Sequence, residues 1–356
     1  MLTRSKVFCR GKVLCATEQY VLYYRKGNLC VAHTDAPDAV IQSHPLGTHF
    51  SGIPLLERLT RSEPRCAVML SEDVALISFS GAVLRYDISS NELITEHLYD
   101  KGMKNPLQFC IRTTADGEKV VYYGEYIWNQ EKGPVAIFKR EKNVWEKVYN
   151  LPANSITHIH GIVYDPHRNC FYILTGDADS ESGIWVADEA FSAVKPLLTG
   201  KQAYRSCVAF PTENGLLYAT DTPLEQNSIY ALAMNENGST VLEEKYMLPG
   251  SCIFGAAVGN SFYFSTTVEP DSTLPGWRYR LTSKLGAGIL DRYSHVIKVD
   301  PDGSTNEIFK RKKDALPMWL FQFGNIQFPY NETDKLLINL QSLKNRHGIT
   351  LQLDWK

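Results

Sequence analysis

Thr157-His-Ile-His-Gly-Ile-Val-Tyr-Asp-Pro-His-Arg-Asn-Cys-Phe-Tyr-Ile-Leu-Thr-Gly-Asp-Ala-Asp179 reads as two strands joined by a turn. Ile159, Gly161 and Val163 alternate with His158, His160, Ile162 and Tyr164, the two-residue period of an extended chain. Asp165-Pro166-His167-Arg168-Asn169 is turn chemistry, because proline fixes φ and Asp and Asn tolerate tight bends. Cys170 to Thr175 is an apolar run of strand length that stops at Gly176-Asp177, where a polar loop begins. Two histidines, two acids and a glycine therefore sit at the ends of buried strands.

The same grammar repeats on both sides. This unit continues with runs at Gly183–Ala187 and Ala193–Leu198. Before it lie four-run units at Gly11–Ser43, Cys66–Leu98 and Leu107–Leu151, and after it at Tyr204–Leu248 and Cys252–Phe309. A last unit has three runs, Phe323–Phe328, Lys335–Leu340 and Gly348–Leu353. The second runs end near Phe79, Gly124, Thr175, Thr220 and Thr267, a spacing of roughly 45–50 residues, which is the period of a four-stranded propeller blade. The expectation is all-β: one propeller of antiparallel blades spanning residues 1–356. Seven blades fit, and six is the alternative because the first unit is the weakest. Ser5–Cys9 supplies the missing outer strand and closes the ring, which removes free sheet edges. Two β-sandwiches are the competing arrangement, but no linker divides the chain.

Two segments break the period. Gly47 to Arg65 holds a short amphipathic stretch, Ile53 to Arg61. Residues 269–293 form a long insertion inside the sixth unit, carrying Pro275-Gly-Trp-Arg-Tyr-Arg-Leu281. Long loops in compact domains are usually functional or disordered, and this one is too apolar for a plain linker, so it is read as a lid over the propeller mouth.

Bulk properties narrow the function. The net charge of −2 has no basic excess, which argues against nucleic acid as a partner. No apolar run approaches the ~18 residues a membrane helix needs, and Met1-Leu-Thr-Arg-Ser-Lys6 opens no signal peptide, so the cytoplasm is the expected location. None of the eight cysteines forms a C-x-x-C pair, which excludes zinc-ribbon and thioredoxin readings and suits buried thiols. Asn237-Gly-Ser and Asn331-Glu-Thr match the glycosylation sequon without a secretory context.

Two turns between third and fourth runs carry worn versions of a known hairpin motif. Lys139-Arg-Glu-Lys-Asn-Val-Trp145 keeps the aromatic, and Ala187-Asp188-Glu-Ala-Phe-Ser-Ala-Val194 keeps the acid. They resemble the Asp-box, Ser-x-Asp-x-Gly-x-x-Trp, of sialidase-superfamily propellers. The stretch from about Gly124 to Pro223 is also similar to uncharacterised bacterial members of that superfamily, some encoded beside polysaccharide genes. The shared words are Gly124-Glu125-Tyr126, His158-Ile-His160-Gly161, Thr175-Gly-Asp177, Tyr204-Arg205 and Thr220-Asp221-Thr222-Pro223. The resemblance implies a propeller; the sialidase Phe/Tyr-Arg-Ile-Pro motif is missing, so it does not imply sialidase activity.

Those polar words share positions within their units. Glu125, Asp177, Asp221 and Glu269 each follow a second run, while His158, His160, Tyr204 and Arg205 open first runs. In a propeller these positions meet at one mouth. Paired carboxylates suit glycoside hydrolysis, one acid protonating the leaving oxygen and the other attacking the sugar or activating water. Asp177 and Asp221 are the first candidates, with Glu125 and Glu269 in reserve and His160 as base or orienting group. Arg205, with Arg278 from the insertion, suits an anionic group on the substrate, and Tyr204, Trp128 and Trp277 suit stacking on sugar faces. Hydrolysis requires no cofactor. A second reading gives His158 and His160 one divalent metal, with Asp177 or Asp179 as an oxygen ligand, and makes the protein a polysaccharide lyase on uronate-containing glycans. A third makes it a non-catalytic propeller that binds a glycan or a protein. In the first two readings the partner is an oligosaccharide or polysaccharide, and Arg205 suits an acidic one.

Overall fold

The computed structural model describes residues 4–47, 52–234 and 239–354. The sequon at Asn237 and part of the segment after Gly47 lie outside the described residues. Seven sheets of four antiparallel strands follow one another in chain order, and Tyr330–Asn331 adds a short parallel strand to the first. The first is built from Lys12–Ala16, Tyr20–Arg25, Asn28–His33 and Val40–Pro45, and the second from Cys66–Met69, Val74–Phe79, Ala82–Asp87 and Glu92–Leu98. The third uses Cys110–Thr113, Lys119–Gly124, Val135–Glu141 and Val144–Leu151, and the fourth Ile159–Asp165, Cys170–Thr175, Gly183–Asp188 and Val194–Thr199. The fifth uses Ser206–Thr212, Gly215–Thr220, Asn227–Met234 and Thr240–Leu248, and the sixth Ser251–Val258, Ser261–Thr267, Tyr293–Val299 and Thr305–Lys312. The seventh blade joins Asn325–Gln327, Leu336–Gln341 and Ile349–Asp354 to Arg4–Cys9, which pairs with Ile349–Asp354 from Arg4 opposite Asp354 to Cys9 opposite Thr350. The N-terminal strand thus closes a seven-bladed propeller, as the three-run last unit predicts.

The chain takes this form because its second strands are apolar on both faces. Gly215–Thr220 is buried at every position, whereas the outermost strand Glu92–Leu98 has no buried residue. A strand buried on both sides needs a neighbour on each face, and flanking blades provide it. The core is correspondingly divided into seven apolar clusters, one between each pair of neighbouring blades. Burying a large aromatic is worth about 1.5–3 kcal/mol. The largest fully buried side chains are tyrosines and phenylalanines such as Tyr23, Tyr123, Tyr172, Tyr218 and Phe264, all on second strands.

Small devices hold the hairpins. Asp188 accepts from the backbone N–H of Ala190, Ser192 and Ala193 at 2.8–3.0 Å, closing the turn its sequence context announced. Trp145 donates its Nε1–H to Glu96 at 2.8 Å, and Glu96 also holds Arg140 at 2.7 and 2.8 Å. All eight cysteines are free thiols. Among the described residues no helix is long and apolar enough to cross a membrane.

The first strands of four blades share an irregularity. Val13 pairs with Tyr23 and Cys15 with Leu22, leaving Leu14 as an extra residue. His160, Cys207 and Ile253 are extra in the same way in blades four, five and six. A β-bulge inserts one residue into one strand only and re-aims its side chain. Here the bulged residues line the cavities at the propeller centre.

Candidate active site

Blades three to six contribute the cluster. His158 precedes the inner strand of blade four and His160 occupies its bulge. Arg205 and Cys207 stand in the same places in blade five. Asp177, Asp221 and Glu269 follow the second strands of blades four, five and six. Tyr126 comes from a two-residue strand, where it pairs with Lys104.

The Nε2 atoms of His158 and His160 lie 3.2 Å apart. Asp177 reaches His158 at 3.4 Å and His160 at 3.5 Å. Arg205 Nη2 is 3.1 Å from Asp177 Oδ1 and 3.7 Å from Asp221 Oδ2. Cys207 donates its S–H to Asp221 Oδ2 at 3.1 Å. Asp221 Oδ1 and Arg205 Nε are buried without a hydrogen-bond partner. The Ser251 hydroxyl donates to Glu269.

Two backbone features make the arrangement possible. A Cβ on Gly176 would stand 2.6 Å from both Arg205 Cγ and His160 Cε1, so only glycine lets them approach. Asp177 has φ +93°, rare for a residue with a Cβ and costing about 1–3 kcal/mol. Its carbonyl is held by Arg205 Nη1 at 3.1 Å and Gln202 Nε2 at 3.0 Å.

Electrostatics separate the roles. Burial, and then the neighbouring Asp221 charge, push the Glu269 carboxyl up to about 8, against the Ser251 hydrogen bond and Arg205. Glu269 therefore carries a proton at neutral pH. Burial also pushes Asp177 up, but His160, Arg205 and His158 outweigh it and hold that half-exposed carboxyl far below its usual range. Burial, helped by His160, lowers His158 to about 4 despite Asp177, so its ring is neutral. Burial and Asp221 raise the Cys207 thiol well above its ordinary value, which keeps it protonated.

The donor set fits a divalent cation. His158, His160 and Asp177 each offer a ligand atom, all within 4.8 Å of one another. Bonds of about 2.0–2.1 Å place neighbouring donors roughly 3.0–3.4 Å apart. The observed separations of 3.2, 3.4 and 3.5 Å are close to that spacing. His160 Nδ1 lies 3.2 Å from the Ser206 carbonyl; donating there leaves Nε2 free to ligate. A second group, His160, Cys207 and Asp221, shares His160 with the first.

Tyr126, His160, Asp177, Arg205, Cys207, Asp221 and Glu269 line a cavity of about 520 Å³, whose other walls include Lys12, Glu63, Arg61, Arg65 and Lys104. Lys12 is paired to Glu63 at 3.2 Å. Among the described residues Arg61, Arg65 and Lys104 have no carboxylate within ion-pair distance. The cavity therefore carries uncompensated positive charge.

The remaining sequence candidates lie elsewhere. Glu125 is buried, its carboxylate accepting from the Ala136 N–H at 2.6 Å, and it does not line the cavity. Asp179 begins a 3-10 turn, Asp179–Glu181, and accepts from Gln202 at 2.7 Å, leaving the carboxylate position of the metal-capable group to Asp177. Tyr204 ends another such turn beneath Lys201. Trp128 and Trp277 are exposed, the first under Lys104 and the second under Arg278. The insertion helix Gly276–Leu281 touches the rim through Tyr279 and Arg280, which pack on Trp319, the residue that also carries Arg61. Sequence reasoning missed Cys207, Ser251, Tyr126, Arg61 and Arg65. Cys207 had a signal, because it holds the place in blade five that His160 holds in blade four.

No protein-family model matches the chain, and no curated protein matches it. Solved structures do. An oligogalacturonate lyase in complex with manganese superposes with a TM-score of 0.60 at 9% identity, over 99% of this chain and 91% of that one. An oligogalacturonate lyase from Vibrio parahaemolyticus gives 0.57 at 10% identity, over 99% and 97%. A chain of the Mitotic Checkpoint Complex gives 0.56 at 10% identity, over 99% and 91%. Neighbours so different in role share an architecture and not a chemistry. The comparisons place the chain among seven-bladed β-propellers, without singling out the sialidase superfamily.

Proposed function

We propose that this propeller cleaves uronate-containing oligosaccharides by β-elimination at the mouth of its central channel. One observation carries the reading: the acids of the cluster sit among imidazoles, a guanidinium and unpaired rim cations, in a cavity suited to an anionic sugar. Two solved structures of the same fold are named oligogalacturonate lyase, one with manganese, which supports the same choice.

Elimination breaks the C–H bond beside the uronate carboxylate, and its electron pair becomes the new carbon–carbon double bond. The glycosidic oxygen leaves with the electrons of its own bond and takes up a proton. The carbon acid becomes accessible only if the carboxylate is neutralised. Arg205, oriented by Asp177 and Asp221, has an Nε–H to spare for that group. Asp221 Oδ1 is the acceptor for the carbon-bound proton, since Cys207 occupies the other oxygen. Glu269, protonated at neutral pH, is the donor for the leaving oxygen. His158, His160 and Asp177 would hold a divalent cation, which supplies further charge neutralisation at the uronate.

The Glu269–Asp221 acid pair also suits hydrolysis, and one assay separates the two. Oligogalacturonates are incubated with enzyme, with manganese or with chelator. Elimination gives the ultraviolet absorbance of an unsaturated uronate, lost in Asp221→Asn and Glu269→Gln. New reducing ends without that absorbance would establish hydrolysis instead. Binding without cleavage of acidic or neutral glycans would overturn both in favour of a binding platform.

A further inference from the structure

A second cavity, of about 620 Å³, lies beside the first. Lys12 and Glu63 line both, so their ion pair is the wall between them. Lys12 is 5% exposed and also donates to the Pro64 carbonyl at 2.9 Å, and Glu63 takes a further hydrogen bond from Gln341 at 2.8 Å. The second cavity opens at the seam where the N-terminal strand closes the ring, between blades one and seven. Its size falls in the range of about 300–1,000 Å³ usual for ligand sites.

Two ion pairs commit part of its charge, and what remains is positive in excess. Arg58 is bound to Asp314 at 2.8 Å and to the Phe321 carbonyl. Glu57 accepts from the Tyr24 hydroxyl at 3.2 Å and the Gly52 N–H at 2.9 Å. Arg10, Arg25 and Lys26 are left, with no carboxylate within ion-pair distance among the described residues. The Arg25 guanidinium lies over the Tyr23 ring, 5.6 Å from its centroid. Three unpaired cations against the single carboxylate of Glu57 leave the cavity a positive excess that attracts an anion, and the shared wall joins that anion to whatever occupies the first cavity.

We infer that this cleft is a distal subsite for a polyanionic glycan, taking carboxylates of sugar units beyond those held at the Asp221–Glu269 centre. The inference rests on the uronate reading of that centre. It makes the protein a binder of extended acidic chains rather than of disaccharides alone, with chain length read at the blade-one and blade-seven seam.

The test compares digalacturonate and hexagalacturonate on wild type and on the Arg10→Gln, Arg25→Gln, Lys26→Gln triple variant. Calorimetric affinity and steady-state kinetics are read together, and urea unfolding confirms that the variant is folded. Exposed ion pairs are individually weak, so the three together should weaken hexamer binding by about tenfold. KM for the hexamer should rise in step, with kcat and all disaccharide parameters unchanged. High salt should erase the difference, because exposed charges are screened. Lys26→Glu alone should act in the same direction and serves if the triple variant does not fold. Equal hexamer affinity in wild type and variants overturns the subsite, and so does a wild type that binds no hexamer. Hexamer binding that falls in the variants, with no cleavage product from wild type, leaves the subsite standing and overturns the lyase.

Discussion

Gly176→Ala adds one methyl group between two side chains that the proposed chemistry needs. Gly176 lies outside the left-handed region, so alanine meets no backbone penalty and the effect is steric. The new Cβ would lie 2.6 Å from Arg205 Cγ and 2.6 Å from His160 Cε1. Carbon atoms in ordinary contact sit about 3.5–4.0 Å apart, so one or both groups must retreat by roughly 1 Å. Neither retreats freely. Arg205 is tied to the Asp177 carbonyl and carboxylate at 3.1 Å each, and His160 lies 3.2 Å from the Ser206 carbonyl. Overpacking of this kind costs about 1–3 kcal/mol, and a shift of about 1 Å at a reacting centre costs on the order of 10²-fold in rate. Unfolding in urea, calorimetric manganese binding and release of unsaturated uronate are measured on the variant. Gly133→Ala, whose new Cβ would meet only Asn129 Oδ1 at 3.6 Å, is the control. The expected result is a modest stability loss with a large loss of turnover and metal affinity. Wild-type metal affinity and turnover in Gly176→Ala would refute the claim that His160 and Arg205 act from the positions described.

Other perturbations have equally definite outcomes. Glu269 has its folded value raised from 4.5 to about 8, so its contribution to stability is full below 4.5 and is lost as pH rises through about 8. Glu269→Gln should therefore gain stability relative to wild type between about pH 4.5 and 8 and level off above that, and the alkaline fall in wild-type turnover should centre on the folded-state titration near 8. Glu96→Ala strips Arg140 and Trp145 of their shared acceptor in a nearly buried pair, with 5% and 8% of the side chains exposed. Breaking such a pair typically costs about 3–5 kcal/mol, read as a lower urea midpoint. Deleting residues 1–9 uncovers the edge of Ile349–Asp354 and removes Phe8 and Cys9 from the seam between blades one and seven. The truncated chain should unfold earlier on heating and self-associate in sedimentation, because an open strand edge pairs with copies of itself. A truncated chain that stays monomeric with an unchanged midpoint would show that the ring does not depend on this closure.

The ring was legible because each blade writes the same burial pattern. The doubly buried second strands of Gly124, Thr175, Thr220 and Thr267 stand out as apolar runs, and their spacing gives the blade count. The seventh blade could be completed from Ser5–Cys9 because a three-run unit leaves one edge open. Position within the repeat also singled out His158, His160, Asp177, Arg205, Asp221 and Glu269, which the structure brings into one cluster. What the repeat does not encode is local competition for a side chain. Glu125 holds the same place as Asp177, yet the Ala136 N–H claims its carboxylate. Asp179 is only two residues past Asp177, but a single helical turn gives it to Gln202. Trp128 sits in a loop and Trp277 in the short insertion helix, segments whose paths no periodicity sets, and both face solvent. Arg61 and Arg65 enter from an irregular segment between the first two blades, where there is no repeat to align.

The extra residue in the inner strands of blades one, four, five and six has a consequence for how such a protein changes. A residue paired across a sheet answers to its neighbours, and replacing it disturbs the packing between blades. Leu14, His160, Cys207 and Ile253 have no partner across the ladder and face the centre. They act as four sockets on a fixed frame, two fitted with reactive groups and two left aliphatic. Ile253 already borders the cavity that holds Arg205 and Asp221, so a single Ile253→His exchange would bring another imidazole into it with the blades untouched. New chemistry in this architecture can therefore arise one residue at a time, without a redesign of the core.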